Sequence, residues 1–137
     1  MRWLPGILLA SVAAAAPDAR LIVPEGPVWT GQRTPVFIEL RAPGSFSGAA
    51  SFDVPPIAKT TVMKVGNPTL SSETVDGSEV FVQRHEFALF SQADGTLEVP
   101  PVTARFRHRI GYTGDARETS QVTEASKIQL RRPPGSP

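Results

Sequence analysis

Residues 81–106, FVQRHEFALFSQADGTLEVPPVTARF, constrain this chain more than any other stretch. A run of aliphatic and aromatic residues reaches Phe90, a turn follows at Asp94-Gly95, a short run spans 97–99, and Pro100-Pro101 breaks the chain before the next run. Gly and Pro at these offsets end elements, and the β-branched and aromatic content between them favours strands. The same punctuation extends beyond this stretch, with fourteen prolines among 137 residues. Proline is poorly tolerated in helix interiors and central strands, so the elements must be short and often broken.

Period-two alternation supplies the strands. Residues 34–41 (TPVFIELR) put Val36, Ile38 and Leu40 on one face and Phe37 and Glu39 on the other. Residues 102–110 put Val102, Ala104, Phe106, His108 and Ile110 opposite Thr103, Arg105, Arg107 and Arg109. Further strands are expected at 19–23, 28–30, 45–54, 60–65, 70–75, 78–90, 97–99 and 127–131. Gly66-Asn67-Pro68 should close the 60–65 strand, and Asp76-Gly77 marks a two-residue hairpin. Strict alternation fails across 80–90, which predicts either a central strand buried on both faces or a bulge. Residues 111–124 are polar and read as a loop, while 133–137 (PPGSP) read as an extended tail. Eight or nine short strands in this length suit an all-β, immunoglobulin-like antiparallel β-sandwich over residues 19–132.

An N-terminal signal peptide is expected at residues 1–16. Arg2 precedes an apolar run of about 13 residues ending in four alanines, with cleavage after Ala14 or Ala15. That run is shorter than the roughly 20 residues a bilayer-spanning helix needs, and Pro5-Gly6 opposes a helix. A periplasmic or otherwise exported product is expected. Of 14 basic residues, removal of Arg2 leaves 13 against 13 acids, so the expected product is neutral and lacks the field that holds nucleic acid. With no cysteine, thiol catalysis, disulfides and cysteine-held zinc are excluded.

The residues suggest no enzyme and no cofactor. Only His85 and His108 are available as histidine ligands, and a catalytic metal usually needs three protein ligands. His108 falls on the apolar face of its strand. No serine sits in a Gly-x-Ser-x-Gly elbow, and no Gly-rich phosphate loop precedes a helix. The sharpest electrostatic feature is Arg105, Arg107 and Arg109, about 7 Å apart along one strand face. They form a possible interaction surface for an acidic partner or an anionic ligand. The plainer expectation is a solvated face whose arginines pair with Glu86 or Glu79 across strands. Arg84 and Glu86 should likewise pair across strands rather than with each other. Trp29, Phe37, Phe46, Phe52, Phe81, Phe87, Phe90 and Phe106 read as core.

Residues 66–108 also resemble the aerotolerance-associated BatD family of exported bacterial proteins. The shared features are an aromatic and aliphatic strand (81–90), a turn at Gly95, a short strand (97–99) and Pro100-Pro101 before the next strand. Gly31-Gln32 looks like the Gly-Gln between that family's early strands, and the likeness extends over about 19–134. It implies an immunoglobulin-like N-terminal domain without catalytic residues. It also implies envelope-protein partners, including von Willebrand factor A-type membrane proteins, and a role in oxygen tolerance or envelope stress. Family members usually continue into further β domains and a membrane helix. This sequence reaches Arg132-Pro133-Pro134-Gly135, about where a second domain would begin, so the expectation is a stand-alone or truncated N-terminal domain without the membrane tether.

Overall fold

The computed structural model describes residues 16–135, so the signal peptide expected at 1–16 falls almost entirely outside them. The described residues form ten strands and no helix. In chain order these are β1 (Asp18–Ile22), β2 (Val28–Trp29), β3 (Thr34–Ala42), β4 (Ser51–Asp53), β5 (Thr60–Val75), β6 (Ser78–Ser91), β7 (Gly95–Val99), β8 (Thr103–His108), β9 (Arg117–Val122) and β10 (Ser126–Arg131). One layer is a four-stranded antiparallel sheet in the order β1-β3-β6-β5. The facing layer comprises β4-β8-β9 and β2-β10-β7, antiparallel except where β2 runs parallel to β10.

Four strands of the facing layer, β7 to β10, form one long hairpin with a shared break, and β4 and β2 pair along it. Pro100-Pro101 cannot donate to a ladder and separate β7 from β8. The returning strand breaks at the same height, between β9 and β10. Buried Thr123 joins the two sides, its Oγ1 accepting from the Val102 N–H at 2.9 Å and its own N–H donating to the Val102 carbonyl at 2.9 Å.

Alternation on β3 and β8 places the core as read. Val36, Ile38 and Leu40 are buried, as are Val102, Ala104, Phe106 and His108. One apolar cluster joins Ile38, Leu40, Ala42 and Phe87 to Val102, Ala104 and Phe106 across the layers. A second joins Val36 and Leu89 to Leu97, Val99, Ile128 and Leu130. Each Val, Leu, Ile or Phe among them contributes roughly 1.5–3 kcal/mol by leaving water, and the two clusters together fasten the layers. Ile110 is exposed because β8 ends at His108, before the face continues.

Several local expectations are corrected. Gly66-Asn67-Pro68 does not close a strand. β5 runs through it, with Val65 opposite Glu86 and Thr69 opposite Arg84, so three residues bulge against His85 alone. Gly66 takes φ +61°, and Pro68 is tolerated because β5 is an edge strand. The bulge thus belongs to β5, while β6 is the central strand buried on both faces. Of residues 45–54 only 51–53 are a strand. Gly44 and Phe46 instead bridge singly to Gly111 and His108, and Gly48 turns the chain at φ +74°. The polar segment 111–124 contains β9, since β8 offered an unpaired edge. Thr119 and Gln121 take the inner positions opposite Phe106 and Ala104.

Candidate functional site

The arginine strand is a solvated face, with different partners from those expected. Arg105 pairs with Asp53 of β4 at 2.5 Å, and Arg107 lies opposite Glu118 of β9. Arg105 and Asp53 are both about half exposed, so the pair is worth under about 1 kcal/mol. Arg109 falls beyond the end of β8 and is half-buried, and its Nη1 meets no acceptor among the described residues. Glu86 and Glu79 belong to the other layer. Glu86 accepts from Arg33 Nη2 at 3.3 Å, and Glu79 accepts from the Tyr112 hydroxyl at 2.7 Å. That bond raises the Tyr112 phenol above its ordinary pKa. The three arginines therefore do not converge on a vacant anion site.

The outer face of the four-stranded sheet carries a second charged lattice. Arg41 bonds both Glu39 and Glu73, Arg20 bonds Asp18, and the Arg84 guanidinium stacks 3.9 Å from the Phe37 ring centroid. Arg84 and Glu86 thus find separate partners, as the strand spacing requires. Four cations and four anions cancel across this face, since Arg33 and Glu86 complete the set. It is a neutral, internally paired surface.

Between the layers the core holds the polar pair Gln83 and His85. Gln83 and His85 share the inward face of β6, with His85 Nε2 2.7 Å from Gln83 Oε1. The imidazole meets Phe52 edge-on at 4.7 Å, and its Nδ1 has no partner among the described residues. Burial, helped by the Lys64 charge, pushes the His85 pKa down to about 4. A neutral imidazole sealed in a core is a packing element, as is His108, which is buried beside Phe106. No group of three His, Asp or Glu able to hold a metal occurs among the described residues. Nor does any described helix have the length and apolarity to cross a membrane.

The expected aromatic core is only partly correct. Phe87 and Phe106 are buried, whereas Phe37, Phe46, Phe52, Phe81 and Phe90 are half-buried. Trp29 is 45% exposed, because the two-residue β2 sits at a sheet margin that no other described element covers. A depression of about 530 Å³ lies between β1 and the β9–β10 break, lined by Asp18, Arg20, Leu21, Val122 and Glu124. Its walls bring no reactive set together.

The longest continuous exposed run among the described residues is 69–77, the second half of β5 and its turn. Every residue from 69 to 75 is exposed, Leu70 at 66% and Val75 at 41%. Among the described residues β5 ends its sheet, and its second backbone edge is unpaired. The Asp76-Gly77 turn was legible in the sequence, and both residues take the positive φ that a tight hairpin turn demands. What sequence reasoning missed is that β5 continues through the bulge and presents this edge.

No family model matches the chain, and no curated protein or solved structure matches it either.

Proposed function

We propose that the chain is a non-enzymatic protein-interaction module, an immunoglobulin-like β-sandwich that receives partners at a free sheet edge. The observation carrying this reading is the exposed 69–75 edge of β5. Unpaired strand edges add a neighbour's strand through main-chain hydrogen bonds, with alternate side chains supplying selectivity. The order β1-β3-β6-β5, opposite a layer containing β4-β8-β9, supports the immunoglobulin-like assignment. The likeness of residues 66–108 to the BatD family supports export and partners in the envelope, including von Willebrand factor A-type membrane proteins. The same likeness supports a role in oxygen tolerance or envelope stress.

A carbohydrate- or anion-binding role has less support. Arg105 is already paired with Asp53, and exposed Trp29 and Tyr112 belong to other elements than the arginine strand.

A photo-crosslinking residue at Ser71, compared with one at exposed Gln129 on β10, tests the proposal in intact cells. A discrete protein adduct from position 71 and none from 129 is expected. No adduct from position 71 would sink the reading.

A further inference from the structure

Edge strands are normally protected by bulges, prolines or lysines, because an open edge pairs with whatever strand meets it. β5 protects only its first half in this way, through Lys64 and the Gly66-Asn67-Pro68 bulge. The second half, Thr-Leu-Ser-Ser-Glu-Thr-Val at 69–75, contains no proline, lysine or further register shift. It presents about 23 Å of regular open edge, with Leu70 exposed on one face and Val75 on the other.

Charge selects the occupant. Residues 69–84, which pair to form this arm, carry Glu73, Asp76 and Glu79 against Arg84 alone, whose guanidinium is turned onto Phe37 of β3. Glu73 is bonded by Arg41, whereas Asp76 and Glu79 have no cationic partner among the described residues. A second copy is a poor occupant. A second copy would bring the same acidic arm, with no lysine, to Asp76 and Glu79. We infer that the 69–75 edge of β5 takes an extended, lysine- or arginine-bearing segment of a partner protein as an added strand. Partner side chains on one face pack on Leu70 and those on the other face on Val75, while its cations reach Asp76 and Glu79. This rests on the interaction reading above and names the partner's chemistry.

The test uses the full chain and the peptide Thr-Lys-Val-Lys-Thr-Lys-Val-Lys-Thr, with glutamate replacing every lysine as the control. Fluorescence anisotropy measures affinity, and amide hydrogen exchange locates the contact. The lysine peptide is expected to bind at least 10-fold more tightly at low salt, with that advantage shrinking at high salt as screening rises. Its binding should slow exchange at 69–75. Asp76→Asn with Glu79→Gln, which keeps the Asn-Gly turn chemistry and the Tyr112 acceptor, should weaken it about 5-fold. Equal binding of both peptides, protection elsewhere, or a dimer protected at 69–75 without peptide overturns the inference. If position 71 still yields a protein adduct in cells, the interaction reading survives that failure. Without an adduct, the reading itself falls.

Discussion

The two halves of β5 belong to one strand and share one partner, β6, yet meet different surroundings. Residues 60–65 lie beneath the facing layer, where Val62 packs against both apolar clusters and Thr60 Oγ1 lies 2.8 Å from the Ser91 hydroxyl. Residues 69–75 continue the same ladder beyond the bulge with every side chain exposed. Local hydrogen bonding therefore does not decide burial. A strand contributes core only where a second layer lies over it, and where none does the ladder remains available to a partner.

The comparison breaks most severely if the facing layer is detached. Gly44 passes so close to the end of β8 that an added Cβ would stand 1.8 Å from the Arg109 carbonyl oxygen. Gly44→Ala should cost more than about 3 kcal/mol, read as a lowered urea midpoint or failure to fold. A next, smaller effect tests the covered core through His85. Its pKa is about 4 folded against 6.5 unfolded, so above pH 6.5 the imidazole is neutral in both states. As pH falls from 6.5 towards 4 the unfolded chain takes up the proton first, and stability drops by roughly 2–3 kcal/mol. Urea denaturation at pH 7 and 4.5 should show this loss, and His85→Leu should reduce it. The smallest effect compares the halves directly. Val62→Ala should cost about 1–2 kcal/mol, whereas Leu70→Ala should change stability by less than about 0.5 kcal/mol. Equal costs for the two would mean that the arm is buried after all.

Much of the covered region was readable in advance, because its signals are local. Val36, Ile38 and Leu40 alternate within one strand, and Asp76-Gly77 demands a turn by backbone preference alone. The candidate surfaces were less readable. The arginine row at 105, 107 and 109 was visible, but the Arg105 partner Asp53 lies on β4, distant in sequence, and Glu118 faces Arg107 from β9, in a segment that reads as a loop. The open edge was hidden because Gly66-Asn67-Pro68 has the composition of a strand end. At an edge, with no outer neighbour to satisfy, the same three residues are absorbed as a bulge.

The sequence by itself determined the all-β character, the inward faces of β3 and β8, and the breaks at Pro100-Pro101 and Gly77. Period-two alternation and restricted φ act within a few residues of chain. Tertiary structure alone decided that β9 would form from polar residues, that Trp29 would stay exposed, and that 69–75 would be left uncovered. Those outcomes depend on which edges remain free, and on how far the facing layer reaches, once strands distant in sequence have paired.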